Sequence, residues 1–398
     1  MYRRILIPVD NSEYSNTGID IGTGLAQKFG STLVGSHVYA ARMHDLRFRQ
    51  MESGLPEVYQ NEQQLEYQRT IHDSLISKGL EVITDSYLDV FAGKCREARV
   101  AYERKSLEGK NYRVLVDDIR RTGYDLVIIG VLGVGAVENS IIGSVCERVV
   151  RRIRTDILVV KNTLPMNGGK IVVAVDGSPQ AYAGLMVAMA LGKAVNKEIE
   201  AISVFDPYFH HAMFHNISGV LSREAARVFR FKEQERLHEE IINGGLARVY
   251  RSHLDISKRL AQEEGADLKT TLLAGKAFEE IFQYTRKQEP WLLVMGRIGI
   301  HSNDEMDIGS NTENLLRLAS CHLLLTSRAF VPRIDIKAEE TIVWTEEAKN
   351  RIERVPSFAR GMAEKTLHGY AIEKGYTVIT SSVIDQALGT LNAIAGKS

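Results

Sequence analysis

The chain has 398 residues, with 50 Lys plus Arg balanced by 50 Asp plus Glu, and is 44% hydrophobic. That length allows two or three ordinary domains, and zero formal net charge leaves no global field to draw nucleic acid or an anionic membrane. No apolar run approaches the ~18 residues of a membrane helix, and Cys95, Cys146 and Cys321 form no CxxC pair, so neither a membrane span, a disulfide framework nor a zinc site is signalled.

In chain order, Arg4 to Val9 predicts a first strand, and Asp10-Asn11-Ser12 a loop that caps a helix over Ser15 to Phe29. Because MYRRILIPVD enters that strand directly, its apolar run is too short for a signal peptide, and a cytoplasmic protein with buried free thiols is expected. Thr32 to Val38 predicts the second strand. From Tyr39 to about Gly109 runs a Gln/Glu-rich, helix-prone excursion with Leu65, Ile71, Leu75 and Ile76 as its apolar stripe, expected to cover a sheet face or a partner subunit. A third strand around Val100 to Leu107 and a helix near Tyr112 to Arg121 follow. The unbroken apolar run Leu126 to Ile129 then marks a parallel strand buried on both faces.

Gly130 opens the spacing Gly-x2-Gly-x9-Gly-Ser, which ends at Gly143-Ser144 before an amphipathic stretch carrying Val145, Val149, Val150 and Ile153. Glycine at Gly130 and Gly133 lets backbone approach a ligand closely. Gly143 and Ser144 open a helix whose free N–H groups and positive dipole end favour phosphate. Asp156 to Val160 closes this unit as a last strand. Alternating strands and helices predict a parallel, doubly wound sheet with ligands beyond the strand carboxyl ends, where Asp10 and Gly130 both fall.

The plan then recurs. A shift of 166 residues places Asp10 on Asp176, Ser86-Tyr87-Leu88-Asp89 on Ser252-His253-Leu254-Asp255, Gly109-Lys110 on Gly275-Lys276, and the glycine spacing on Gly296, Gly299, Gly309 and Ser310, with no gap between anchors. A fixed offset over separated landmarks means an internal duplication. Two copies, residues 1–163 and 168–330, are expected, joined by the short turn Pro165 to Gly169. Strands of the second copy are predicted at Ile171 to Val175, Glu200 to Val204, Lys269 to Leu273, Trp291 to Met295 and His322 to Thr326. Each copy ends in an apolar strand that needs an edge covered, so the two should pair as a pseudo-twofold unit.

A strand-end Asp in DNS and DGS, the doubled glycine spacing and the closing apolar strand together resemble the universal stress protein family. The resemblance implies two doubly wound five-stranded parallel-sheet repeats of the adenine nucleotide alpha hydrolase-like kind, pairing through their last strands. For members that bind ATP, it implies an adenine site at the strand-end Asp and a second-strand valine, with phosphates on the glycine motif. Carried over, these are Asp10, Val38, Gly130, Gly133, Gly143 and Ser144 in the first copy, and Asp176, Val204, Gly296, Gly299, Gly309 and Ser310 in the second. Asn11 replaces the usual Gly after the strand-end Asp. Between Gly299 and Gly309 lie Asp304, Glu305 and Asp307, whereas the matching first-copy loop has only Glu138. Carboxylates beside a triphosphate cost affinity unless Mg²⁺ bridges them, so ATP with Mg²⁺ is expected in the first copy more than in the second. With no Walker lysine, general base or arginine finger assignable, hydrolysis is expected to be slow or absent.

From Thr341 to Ser398 the chain has no counterpart in either copy, and Pro332 with charged Arg333 to Glu340 reads as an exposed tether. Glu346 to Val355, Ser357 to Lys374 and Ser382 to Ala395 predict a small helical domain over residues 341–398. Its Trp344-Thr345-Glu346-Glu347-Ala348, Val355-Pro356-Ser357-Phe358-Ala359-Arg360, Tyr370-Ala371, Gly375 and Ile379-Thr380 resemble the small C-terminal domain of the light-independent protochlorophyllide reductase B subunit. The three cysteines suggest no iron–sulfur site, so this implies a borrowed docking or ligand module. By residue type, Trp344 and Phe358 are expected in its core, and Arg360 and Lys365 on solvated helix faces or against an acidic ligand or partner. His211 and His215 in DPYFHHAMFH, beside His210, could share a helix face as metal ligands or be surface polar residues; His44 and His72 land on His210 and His238 at the offset. Two functions fit: a nucleotide-binding stress or regulatory protein that presents the tail, and an adaptor whose repeats are scaffold. Expected partners are adenine nucleotide, the other repeat, further copies of the chain, and an unidentified protein or small molecule at the tail.

Overall fold

The computed structural model describes residues 1–166, 168–207, 230–300 and 307–395. The His210, His211 and His215 cluster, Asp304 and Glu305 lie outside the described residues. The chain forms two compact units, one of residues 1–174, 183–200 and 278–328, the other of residues 175–182, 201–277 and 329–398.

The first unit begins with β1 (Arg4–Pro8), α1 (Glu13–Phe29), β2 (Thr32–Tyr39), α2 (Ala41–Met51) and α3 (Glu62–Glu97). Then come β3 (Tyr102–Glu108), α4 (Asn111–Thr122), β4 (Leu126–Gly130), α5 (Ser144–Arg152), β5 (Asp156–Val160) and β6 (Ile171–Ala174). Ser12 caps α1 by accepting the Ser15 N–H, and Gly30, in left-handed conformation, ends it. The strand order β3-β2-β1-β4-β5 is parallel throughout. Ile5, Leu6, Val127, Ile128, Leu158 and Val159 have no exposed surface, which explains the apolar runs without alternation. Helix α3 buries its C-terminal half, Leu88, Phe91 and Cys95, on the sheet; Gly35 is small because Phe91 packs onto it. The apolar stripe does not cover a sheet face: Ile71 and Leu75 are exposed, because the helix outruns the sheet. His72 instead stacks on Phe48 with ring centroids 4.0 Å apart.

Beyond β5, the strand His322–Thr326 pairs antiparallel with it, Leu323 opposite Val159 and Leu325 opposite Ile157. This is the last-strand pairing expected of the duplicated chain. Strands Leu292–Gly296 and β6 continue the order in parallel. Above the antiparallel seam, α5 meets the helix Ser310–Leu318 through reciprocal ion pairs, Glu147 with Arg317 at 2.6 Å and Glu313 with Arg151. These are the same two positions 166 residues apart, as a pseudo-twofold seam requires. Arg151 also takes Asp307 at 3.2 Å, so one of the three second-loop carboxylates is neutralised within this seam.

In the second unit, Asp176 Oδ1 accepts the Ser178 N–H, and Ser178 Oγ accepts the Ala181 N–H. Strand residues Ala201 to Phe205 neighbour Lys269–Ala274 there, and the Gly275 N–H closes on Phe205 O. The segment read as a tether is a helix, Ile334–Thr341, with Ile336 and Ala338 buried; its Glu339 and Glu340 both pair with Arg259 on the helix Ala247–Glu263. Two apolar residues two apart outweigh the charge count of that stretch. The rest of the tail has its own core of Ala348, Ile352, Leu367, Ala371, Ile379 and Val383 among others. Helices Glu346–Glu353, Ser357–Lys374 and Ser381–Ala395 surround a two-stranded parallel pair, Val343–Trp344 with Val378–Ile379. Trp344 packs at that core and donates to His368 Nε2 at 3.1 Å, whereas Phe358, expected inside, is 91% exposed because it opens its helix away from the others. Arg360 donates to Glu353 O and Val355 O.

Candidate functional site

All six first-copy candidates line one cavity of about 520 Å³ at the carboxyl end of β1, β2 and β4. That is the size of a small-molecule site. Val9, Ile129, Val131, Leu132 and Leu115 supply apolar wall; Ser12, Ser15, Ser36 and Asn111 supply polar edge. Parallel strands bring this about, because loops from neighbouring strand ends must converge on one rim.

Asp10 ties the rim together. Its Oδ1 accepts the Ser12 N–H at 3.1 Å and the Ser12 hydroxyl at 2.6 Å, while its Oδ2 accepts the Val134 N–H, at 3.1 Å, from the glycine loop. Asn11 takes the left-handed conformation (φ 59°) in which the family more often has Gly. Gly133 is required by this clamp, since a Cβ there would overlap Asp10 Oδ2. A Cβ on Gly130 would stand 2.9 Å from Tyr14 Cβ, and one on Gly143 3.1 Å from Val131 O. Gly143 donates its N–H to Val131 O at 2.7 Å and stands as the N-cap of α5, with no side chain capping the first turn. The N–H groups of Ser144, Val145 and Cys146 open α5 without helical partners, the arrangement that binds anions.

Val38 is buried on β2 and faces the cavity, beside His37, which sequence reading missed. His37 donates from Nδ1 to Val9 O at 2.6 Å and meets Tyr87 edge-on at 5.0 Å. No signal in the sequence marked it: at the repeat offset His37 falls on Ser203, and only the folded chain shows the Ser203 hydroxyl donating to the equivalent carbonyl, Val175 O, at 2.7 Å.

The second-copy candidates fall in both units. Asp176 and Val204 belong to the second; there His253, at the position of Tyr87, lies against Gly177 so closely that a Cβ on Gly177 would stand 2.7 Å from Nδ1. Burial pushes His253 down to about 4, with Asp176 pulling the other way and Lys337 of the tail helix adding to the fall. Gly296, Gly299, Gly309 and Ser310 belong to the first unit, where the Gly309 N–H reaches Arg297 O at 2.9 Å and so repeats the Gly143 bond. Arg297 stands where the first copy has Val131. It is 1% exposed, donates to Val150 O at the end of α5 and to Ser327 Oγ at 2.8 Å, and burial lowers it to about 10. No group of three or more His, Cys, Asp or Glu suited to a metal occurs among the described residues.

Fold and site define a tandem, doubly wound α/β protein with a glycine cradle at a helix start. The chain belongs to the universal stress protein family, which matches residues 1–161 and 168–327. Residues 344–387 match the family described as the proto-chlorophyllide reductase 57 kD subunit. A universal stress protein of Methanocaldococcus jannaschii is 25% identical over 159 residues, 40% of this chain and 82% of that protein. The crystal structure of one from Archaeoglobus fulgidus is 17% identical, covers 81% of this chain and 97% of its own, and superposes with a TM-score of 0.50. Another solved neighbour is a universal stress protein in complex with cAMP, 19% identical over 41% of this chain and 98% of its own, with a TM-score of 0.27. No described helix is long and apolar enough to cross a membrane.

Proposed function

We propose that the first copy binds an adenine nucleotide, ATP with Mg²⁺, and that the chain is a stress-response or regulatory protein presenting its C-terminal module, residues 341–398, to a partner. The observation that carries this is the convergence of Asp10, Val38 and the glycine loop on one cavity whose far wall is the uncapped start of α5. An adenine fits the apolar wall beside Val38, and phosphates fit the free N–H groups. Asp10 is the one carboxylate among the lining residues and already takes three hydrogen bonds, so Mg²⁺ would be held by phosphate oxygens and water. The same commitment leaves Asp10 a poor general base, which favours binding without rapid turnover. The three buried free thiols favour a reducing, cytoplasmic compartment.

The scaffold reading is favoured for the second copy alone, because His253 occupies the space over Gly177 beside Asp176. Calorimetric titration of the full chain with ATP and Mg²⁺ should show one site, lost in Gly143→Val and retained in Gly309→Val. Absence of binding, or equal loss in both variants, would sink the assignment.

A further inference from the structure

Three cations gather on one ring, that of Tyr112, next in the chain to the cavity residue Asn111. Arg148, Lys110 and Arg152 stand 4.7, 5.4 and 5.5 Å from the centroid of Tyr112. Lys110 directly precedes Asn111, and Arg148 lies one turn after Ser144; Asn111 and Ser144 both line the cavity.

Charge pairing on α5 divides by face. Glu147 and Arg151, toward the seam, are paired with Arg317, Glu313 and Asp307. Among the described residues, Lys110, Arg148 and Arg152 have no carboxylate partner. Arg152 has a local reason for its place, donating to Arg148 O at 3.1 Å near the helix end. Lys110 and Arg148 have none, and attraction to the half-buried Tyr112 ring is worth about 0.5–2 kcal/mol each against their mutual repulsion. At the repeat offset Lys110, Tyr112, Arg148 and Arg152 become Lys276, Phe278, Asn314 and Leu318, so the cluster belongs to the first copy alone.

We infer that Lys110 and Arg148 form a subsite for the distal phosphates of a nucleotide whose proximal phosphate sits on the start of α5. The ligand class is then a nucleoside triphosphate or longer chain, selected over the monophosphate; this rests on the nucleotide reading of the cavity. A helix start supplies N–H groups for about one phosphate, whereas a guanidinium and an ammonium beyond it add the counter-charge that each further phosphate needs.

The test is calorimetric titration of the full chain with AMP and with ATP at fixed Mg²⁺ and low salt, alongside Lys110→Gln/Arg148→Gln. Both side chains are exposed, so the fold is expected to survive, and circular dichroism melting checks it. The parent should bind ATP at least tenfold more tightly than AMP. The double variant should lose that advantage, leave AMP within twofold, and flatten the salt dependence of ATP binding. Equal losses for AMP and ATP, or no loss for ATP, overturn the subsite. A parent that binds AMP and ATP equally overturns it while leaving the nucleotide reading intact, and a parent that binds neither removes both.

Discussion

Gly133→Ala is the sharpest probe of how the cavity is built. Its added methyl would occupy the position of Asp10 Oδ2, so the carboxylate must swing away or the loop must retreat. Either movement breaks the 3.1 Å bond from the Val134 N–H and strains the two bonds to Ser12. A hydrogen bond to a charged group contributes about 1.5–3 kcal/mol, and water at this half-buried rim replaces part of it. The expected loss is therefore about 1–3 kcal/mol in stability of the unit, a fall in Tm of roughly 2–12 °C. The affinity cost should be at least about tenfold, or 1.4 kcal/mol, because Gly133 and Val134 would no longer hold the cradle. Gly135→Ala adds the same methyl on the same loop with nothing within 4 Å, and should leave Tm unchanged. Differential scanning calorimetry and ATP titration of both variants decide the matter. If Gly133→Ala melts and binds like the parent, Asp10 is not a clamp and the account of the loop fails.

Acid should destabilise both units. Burial holds His322 and His253 at about 4, below the ordinary value of 6.5. Between those values the unfolded chain takes up protons that the folded one refuses, so stability is complete above about pH 6.5 and falls as pH drops, by roughly 2 kcal/mol per histidine at pH 5; denaturant melts that do not change from pH 7 to pH 5 would contradict this. Removing residues 334–398 should lower the melting temperature of the second unit by uncovering the face that Ile336 and Ala338 bury, whereas stopping at Ile342 keeps that helix and should cost much less; equal melting of the two truncations would show that the helix contributes nothing. A chain of residues 1–163 should dimerise in light scattering, since β5 loses its antiparallel partner and exposes a fully apolar edge; a stable monomer would count against edge pairing as the driving force.

Much of this was legible in the chain. Unbroken runs such as Leu126 to Ile129 and Ile157 to Val160 have one stable home, a strand covered on both faces, and their recurrence at one offset fixes the duplication. The glycine spacing carried as much: at Gly133 the Asp10 carboxylate leaves no room for a Cβ, and at Gly143 a Cβ would crowd Val131 O at 3.1 Å, constraints that act on the residue itself. Other features depended on pairings between residues far apart. Arg333 to Glu340 looked like a tether by charge, yet the segment folds onto a helix 80 residues away, with Ile336 and Ala338 buried and Glu339 and Glu340 paired to Arg259. Phe358 looked like core by type and is solvated, because hydrophobicity states a preference and only packing decides whether a partner face exists. The same holds at the two sites. Local spacing made the copies look equivalent, and the differences lie in what distant elements deliver: Tyr87 against His37 where His253 lies against Gly177, Val131 where the second copy has Arg297, and Arg148 over Tyr112 where it has Asn314. Periodicity and glycine placement are local physics and can be read along a chain, whereas charge pairing and occupancy of space belong to the folded neighbourhood, which only the tertiary structure brings together.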